Sequence, residues 1–257
     1  MSGKSPIEWT SATWNPTSGC TRVTTGCDHC YAFALHDMRH DAYQAHGGIY
    51  PKNGRPMPIQ YARPFSEVQL LPDRLAWPLH QLQPQRIFVN SMSDLFHHDV
   101  PDDYIFQIFV TMKVAHWHTF QILTKRPGRL RRLGPQLEWS TNIWIGTSIE
   151  HDQVVRRADA LRDIPAAVRF LSCEPLLEPL PSLNLDGIHW VITGGESGLD
   201  ARPCDPHWVR DLRDRCQARN IAFFHKQWGG HTPKEGGREL DGRTWDEFPT
   251  PLTHRMA

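Results

Sequence analysis

The chain has 257 residues, of which 39% are hydrophobic, enough for one sizeable core, and a single α/β barrel of this length is ordinary. Lys plus Arg balance Asp plus Glu at 28 each, so net charge gives no argument for a nucleic-acid partner. No stretch approaches the roughly 18 apolar residues of a membrane span, and the N-terminus lacks the apolar run of a signal peptide. We therefore expect a cytoplasmic protein with no membrane partner, whose six cysteines are reduced thiols rather than a disulfide framework.

The first predicted strand, Ile7–Thr13, leads into a segment that holds half of the cysteines. Cys20, Cys27 and Cys30 have the spacing C-x6-C-x2-C, whereas the other three cysteines are scattered along the chain. A glycine precedes each of the first two, and glycine lets the backbone turn sharply, so that thiolates can converge on one centre. Helix-like sequence follows from Tyr31. Three clustered thiols in a reduced protein predict a metal centre.

Three thiolates suit two kinds of metal centre. A [4Fe–4S] cubane held by three cysteines keeps one iron without a protein ligand, open to a small chelating molecule. A structural zinc ion wants four ligands, and His29, His36 or His40 can supply the fourth. Ordinary reduced thiols are a third interpretation, which the crowding of the cysteines disfavours. We favour the iron–sulfur interpretation over zinc.

From about residue 86 short apolar runs alternate with helix-like stretches. The predicted strands are Arg86–Asn90, Thr119–Leu123, Ile143–Thr147, Val168–Ser172, Ile188–Thr193 and Ile221–His225. The helices predicted between them are Asp102–Val114, Asp152–Arg162 and Pro206–Arg219. Strands that are apolar on both faces and alternate with helices are typical of a parallel sheet. We predict an α/β fold, a partial or full TIM-type barrel of parallel strands, with a doubly wound open sheet as the alternative.

We expect one barrel domain over residues 1–228. Residues 44–82, rich in Pro, Gly and Arg, interrupt the alternation and are predicted to form an irregular excursion. Residues 229–257, rich in Gly and charge, are predicted to be a loop-like tail with a loosely packed end.

Polar side chains follow nearly every predicted strand, and parallel strands bring such ends to one rim, where barrel active sites lie. The residues at these ends are Asn90, Ser91, Ser93, Asp94, Thr124, Lys125, Arg126, Ser148, Glu150, Cys173, Glu174, Gly194, Gly195, Glu196 and Lys226. Lys125 and Arg126 can hold a carboxylate or a phosphate. The three glutamates can bind an ammonium group or a ribose, and two successive glycines let a ligand approach the backbone closely.

Three further groups are weaker signals. His97, His98 and Asp99 are adjacent, and a solvated loop is favoured over a metal site. An arginine cluster at residues 129–132 is interpreted as an exposed helix face, with contact to nucleic-acid phosphates as the alternative. Cys173 can serve in hydrogen-atom transfer, although a small buried hydrophobe is the commoner role for such a cysteine.

Blocks along most of the chain resemble a known family. The sequence blocks are IEWTSATWNPTSGCTRVTTGCDHCYA, RIFVNSMSDLFHHDVPD, FQILTKRP, RFLSCEPLL, WVITGGESG and FHKQWG, between about Ile7 and Gly229. They are similar to the phage and prophage three-cysteine-motif family, which is radical-SAM-like. The resemblance implies a partial TIM barrel, a [4Fe–4S] cluster and S-adenosylmethionine (SAM).

By this resemblance Cys20, Cys27 and Cys30 ligate three irons, and the methionine part of SAM chelates the fourth. Reductive cleavage of SAM then starts hydrogen abstraction from a substrate, with Lys125, Glu174 and Cys173 as the expected catalytic residues. His29 fills the position before the last cysteine, which is expected to lie near the adenine. The resemblance further implies a reductant of the flavodoxin or ferredoxin type and a three-Cys-motif partner protein. The residues do not identify the substrate, and a nucleic acid or nucleotide is the class that a phage setting favours.

Two features depart from the common radical SAM pattern. Its first cysteine gap is three residues, and here it is six. Its Gly-Gly-Glu, which binds the amino group of SAM, follows the second strand, whereas here Gly194–Glu196 comes late, so Asp94 or Ser93 is the alternative for that role. The predicted cofactor contacts are His29, Asn90, Ser91, Ser93, Asp94, Thr124, Ser148, Glu150, Gly194, Gly195, Glu196 and Lys226. The alternatives to a radical SAM enzyme are a zinc-stabilised nucleic-acid-binding phage protein and a cluster-bearing partner protein without catalysis.

Overall fold

The computed structural model describes residues 3–250. The strands are β1 (Gly3–Lys4), β2 (Ala12–Trp14), β3 (Thr17–Ser18), β4 (Gln69–Leu70), β5 (Arg86–Val89), β6 (Thr119–Thr124), β7 (Ile143–Ser148), β8 (Arg169–Cys173), β9 (Trp190–Gly194), β10 (Ala222–Gln227), β11 (Glu239–Leu240) and β12 (Arg243–Thr244). The α-helices are α1 (Tyr31–Ala45), α2 (Asp102–Val114), α3 (Pro127–Leu133), α4 (Asp159–Arg162) and α5 (Pro206–Gln217). Short 3-10 helices cover Thr25–Cys27, Ile59–Ala62, Pro72–Arg74, Trp77–His80, Gly134–Gln136 and Asp152–Ala158.

Eight strands form the central sheet, in the order β1-β2-β5-β6-β7-β8-β9-β10. All neighbours from β2 to β10 are parallel, and only the edge strand β1 runs antiparallel to β2. A doubly wound sheet reverses its strand order at a switch point. Here the order follows the chain without a reversal, which is the order of a partial β/α barrel.

Aromatic contacts across the concave side show that the sheet curls into a half-barrel. The ring of Trp9 lies 4.8 Å from Phe88 of β5 and 6.3 Å from Trp190 of β9, measured between centroids. Phe248 packs against Trp190 and lies 4.1 Å from the guanidinium carbon of Arg86, which begins β5. Trp9 and Phe248 each contact both β5 and β9, which lie four places apart in the sheet, so the sheet curves around these side chains.

Side-chain alternation along each strand explains why the strands are apolar on both faces. Trp144, Phe170 and Phe224 point into the concave side and pack with Trp9. Their neighbours Ile145, Leu171 and Phe223 point outwards into the core that the helices cover. A strand buried on both sides needs apolar residues at consecutive positions.

Most predicted elements from Arg86 onwards occur close to the predicted bounds, whereas the first predicted strand, Ile7–Thr13, is replaced by the shorter β2, Ala12–Trp14. All six predicted strands from Arg86 onwards lie in the sheet within two residues of each predicted end, as β5 to β10, and the helix predicted at Asp102–Val114 has those bounds. The helix predicted at Asp152–Arg162 is instead a 3-10 helix that passes into the short α4. No helix in residues 3–250 has the length and apolar character needed to cross a membrane.

The excursion and the tail pack against this frame. Residues 44–82 contain the strand β4, which pairs with β3, and three of the 3-10 helices. In the tail, β11 and β12 form a hairpin, and Trp245 is buried against Phe223 of β10. The predicted loose end of the chain, residues 251–257, lies outside the described residues.

Candidate functional site

The cysteine segment crosses the carboxyl ends of the parallel strands. Gly19 forms a β-bridge with Ser93, just beyond β5, and the amide of Cys20 donates to the carbonyl of Phe65 at 2.8 Å. The segment then runs past the ends of β6 and β7 and reaches the residues after β9, before α1 begins at Tyr31. It therefore lies over the mouth of the half-barrel, where the polar strand ends converge.

The thiols of Cys20, Cys27 and Cys30 are free; Cys27 is buried, and the other two are partly buried. Cys20 and Cys30 both pack against the apolar cluster of Ala32, Phe33 and Phe65. Burial raises the pKa of the Cys20 thiol to about 11, and the neighbouring charges of Asp94 and Cys27 add to this shift against the opposing effect of Arg126. In the absence of a cation at the site, the thiol of Cys20 is therefore held protonated.

Glu150 fastens the middle of the segment to the end of β7. Its carboxylate is fully buried and accepts a hydrogen bond from Arg157 at 2.8 Å and another from the hydroxyl of Thr24. A Cβ on Gly26 would lie 2.6 Å from Cγ of Glu150, so only glycine leaves room for the carboxylate side chain there. Arg157 also donates to the carbonyl of Ser148 at 2.9 Å. The pair thus ties the cysteine segment to the sheet.

Glu196 fastens the end of the segment to the residues after β9. Its carboxylate lies 2.9 Å from Nδ1 of His29 and accepts hydrogen bonds from both the guanidinium and the amide of Arg202. Burial by itself raises the pKa of Glu196, but the hydrogen bonds from Arg202 and His29 outweigh it and lower the pKa to about 2. Arg202 also donates to the carbonyl of Thr25 at 2.9 Å. Glu196 is therefore an anion whose hydrogen-bonding capacity is largely used inside the protein.

Asp94 and Arg126 fasten the start of the segment. The Asp94 carboxylate accepts from the Thr124 hydroxyl at 2.7 Å and from the Lys125 amide at 2.9 Å. Arg126 donates to the hydroxyl and the carbonyl of Thr21, at 2.8 and 3.0 Å, and its guanidinium reaches within 4.0 Å of Sγ of Cys20. Asp94 thus orders the ends of β5 and β6, and Arg126 brings a positive charge to the thiol of Cys20.

The residues after β5 form a smaller polar cluster. The amide of Asn90 donates to the hydroxyls of Thr17 and Ser93 at 2.7 and 2.8 Å. The carbonyl of Ser91 accepts from the hydroxyl of Tyr31 at 2.7 Å, although the Tyr31 side chain remains exposed. This cluster holds the first turn of α1 close to the end of β5.

Glu174 and Lys226 form an ion pair on the concave side of the mouth. The two side chains bridge β8 and β10, and β9 lies between them. A Cβ on Gly194 would lie 3.2 Å from Cγ and Cδ of Glu174, so this glycine provides the space in which the glutamate crosses β9. Both side chains of the pair keep part of their surface exposed, at 18% and 16%. The pair offers one charge of each sign to a ligand in the mouth.

Two predicted site residues lie away from the mouth. Cys173 is fully buried in the outer core, on the opposite face of β8 from Glu174. A Cβ on Gly195 would lie 1.9 Å from the carbonyl oxygen of Trp228, so that glycine accommodates the chain after β10 and not a ligand. The structure brings the other predicted residues together at the carboxyl ends of the strands.

His97, His98 and Asp99 bring their ligand atoms within 4.8 Å of one another. The ring of His97 is buried, however, with Nε2 2.9 Å from the Thr21 hydroxyl and Nδ1 accepting from the Asp99 amide at 3.2 Å. With both ring nitrogens engaged, His97 supports the cysteine segment, and the group retains two exposed residues for a metal.

The arginine cluster is neutralised by carboxylates. Arg129 and Arg132 both bind Asp102, beside an open groove of about 490 Å³, and Arg131 pairs with Asp163. Phosphate binding at this face would have to compete with these ion pairs.

Sequence reasoning missed four residues that hold the segment: Thr21, Thr24, Arg157 and Arg202. Nothing in their local pattern distinguishes them, because arginines and threonines are common on exposed surfaces. The only signal is that a buried carboxylate needs a cation nearby, and each arginine follows its glutamate within seven residues.

The family comparison covers nearly the whole chain. Residues 4–249 match the family model described as a protein of unknown function, DUF5131. The chain belongs to this family. No curated protein and no solved structure matches the chain. The family description names no activity.

Proposed function

We propose that the protein is a radical-SAM-like enzyme in which Cys20, Cys27 and Cys30 hold a [4Fe–4S] cluster. One observation carries the proposal: three free thiols share one loop, which is fastened across the carboxyl ends of a parallel half-barrel. Barrel enzymes carry their chemistry at that end of the sheet. A cluster bound by three cysteines has one open iron, which suits SAM as a chelating ligand.

The residues around the thiols fit such a group. Arg126 lies beside Sγ of Cys20 and lowers the pKa of this thiol, but burial outweighs it, so the thiolate that a metal needs would form together with metal binding. The apolar cluster of Ala32, Phe33 and Phe65 shields two of the cysteines from water. When bound, the cluster would supply one electron to SAM and so start hydrogen abstraction. A one-electron reductant of the flavodoxin or ferredoxin type is therefore part of the proposal.

Glu174 and Lys226 are the residues we propose for the amino-acid part of SAM. The buried carboxylates of Asp94, Glu150 and Glu196 already accept hydrogen bonds from the protein, so a ligand would have to break these bonds to use them. Glu174 can bind the ammonium group and Lys226 the carboxylate. The pair faces the mouth and is only partly buried, so it can exchange its partner for a zwitterionic ligand.

Zinc binding is the second candidate, and the geometry disfavours it. Three thiolates on one tetrahedral zinc, at Zn–S distances of about 2.3 Å, lie roughly 3.8 Å apart. Within residues 3–250, no trio of metal-ligating side chains with donor atoms within 4.8 Å includes a cysteine. His29, His36 and His40 each bind a protein oxygen through one ring nitrogen, and the second nitrogen of each ring is left for a metal, so the case against zinc rests on the cysteines alone.

The test is the iron, sulfide and zinc content of anaerobically prepared protein, beside a Cys20/Cys27/Cys30→Ala triple variant. About four irons and four sulfides per chain are expected, lost in the triple variant and retained in Cys204→Ala, which removes a cysteine outside the segment. One zinc and no iron would overturn the proposal. A cluster that never cleaves SAM under strong reductant would instead support a non-catalytic partner protein.

A further inference from the structure

The concave face holds three polar side chains at one level that none of the contacts above uses. They are Lys125, Ser148 and Ser172, on or directly after β6, β7 and β8. The register aligns Thr124 with Thr147 and Ser148 with Ser172, so the three residues follow one another across adjacent strands. Neighbouring strands lie about 4.8 Å apart, which is a spacing that one small anion can bridge.

The alternation of side chains along each strand determines which face of the sheet Lys125, Ser148 and Ser172 occupy. Gln121 and Leu123 face the concave side, where Gln121 donates to the carbonyl of Trp9, and Lys125 continues this series. Ser172 lies between Leu171 and Cys173, which both face the outer core. Ser148 follows Thr147, whose hydroxyl points outwards to the carbonyl of Thr124. All three side chains therefore belong to the concave face.

None of the three side chains has a partner within residues 3–250. Ser148 and Ser172 are each 2% exposed, and neither hydroxyl is among the fully enclosed unpaired atoms of residues 3–250, so each keeps a small surface open to the concave side. The half-buried ammonium of Lys125 makes neither an ion pair nor a hydrogen bond there. Buried polar groups are normally satisfied, and a half-buried cation normally has a counter-charge.

The charges around the mouth indicate which kind of ligand Lys125 can bind. Glu150 has Arg157, Glu174 has Lys226, and Glu196 has Arg202, so these carboxylates are neutralised. Lys125 adds a positive charge without a carboxylate of its own. A site of one ammonium and two hydroxyl donors matches a phosphate or a carboxylate.

We propose that Lys125, Ser148 and Ser172 form an anion subsite that binds the phosphate or carboxylate group of the substrate. The subsite lies one residue pair deeper in the half-barrel than Glu174, so a substrate bound there would lie beneath the ligand that Glu174 and Lys226 take. The assignment of the bound anion to the substrate rests on the proposed function, but anion binding itself does not require the cluster. It narrows the substrate class to molecules with an acidic group.

The test is titration calorimetry of the full chain at constant ionic strength, with inorganic phosphate in one arm and acetate in the other. We expect one site per chain for at least one of these anions, and the stronger binder identifies the acidic group. Lys125→Met should weaken binding more than tenfold, and Ser148→Ala or Ser172→Ala about tenfold, because each removes a hydrogen bond to a charged group. Lys52→Met, which removes an exposed lysine of the excursion, should leave binding unchanged.

Three results would overturn the inference. The first is no saturable binding of either anion. The second is binding that Lys125→Met leaves intact. The third is one-for-one competition with SAM, which would assign the site to the carboxylate of SAM. Repeating the titration in the Cys20/Cys27/Cys30→Ala protein separates the two proposals, because retained anion binding there means that the subsite stands whether or not a cluster forms.

Discussion

The pair of Glu150 and Arg157 gives the sharpest test of how the cysteine segment is held. Glu150 is fully buried, and the Arg157 side chain is 9% exposed. Replacing Arg157 with Met removes the guanidinium and strands a buried carboxylate, which costs about 3–5 kcal/mol of unfolding free energy. The measurement is urea unfolding of metal-free protein at pH 7, which gives the midpoint concentration and the slope of the unfolding free energy against urea concentration.

Two further variants separate the buried pair from a general effect of losing an arginine. Arg131→Met removes one partner of an exposed pair with Asp163 and should cost no more than about 1 kcal/mol. The double variant Glu150→Met/Arg157→Met removes both charges and should recover most of the lost stability. Arg157→Met must cost more than Arg131→Met, and the double variant must be more stable than Arg157→Met alone; either opposite result would exclude a stabilising role for the buried pair.

Two other predictions concern the ligand pair and the response to acid. Gly194→Ala would place a Cβ 3.2 Å from Cγ and Cδ of Glu174, so the glutamate must shift slightly from its position beside Lys226, and SAM binding in equilibrium dialysis should weaken while iron content stays constant. Gly128→Ala, whose Cβ meets no neighbour within 4 Å, is the control. Equal affinities in the two variants would contradict the assignment. Burial lowers the pKa of His225 from 6.5 to about 4, with Arg238 adding to the shift, so the unfolded chain binds more protons than the folded chain between those values. Unfolding free energy should therefore fall as pH drops from 6.5 to 4, less steeply in His225→Gln, and equal slopes in urea titrations would refute this.

The strands were predictable because burial on both faces leaves a direct mark on the sequence. Trp144 and Ile145 are adjacent and enter different cores, one inside the half-barrel and one beneath the helices. Such runs are too short for a typical buried helix and rich in β-branched and aromatic residues, which together favour a strand. The register that aligns Ser148 with Ser172 left no such mark, because it follows from pairing between strands 20 or more residues apart.

The gathering of polar strand ends was also predictable, but not the bonds that each end makes. Glu196 was expected to bind SAM and His29 to lie near adenine, whereas the two side chains bind each other and Arg202. A glutamate at the end of a strand has the same sequence signal whether it contacts a ligand or a loop. Whether Glu196 contacts a ligand or a loop depends on where Arg202 lies, and the position of Arg202 depends on the path of the chain after β9.

The long first gap of the cysteine spacing has a structural explanation in these same bonds. Its residues reach three different strand ends: Thr21 binds Arg126 after β6, Thr24 binds Glu150 after β7, and the carbonyl of Thr25 binds Arg202 beyond β9. A gap of three residues spans at most about 13 Å when fully extended, too short to contact all three ends and still return the next cysteine to the first. The six-residue gap thus gives a longer cysteine loop than a three-residue gap would, and this loop is bonded to strand ends across the mouth.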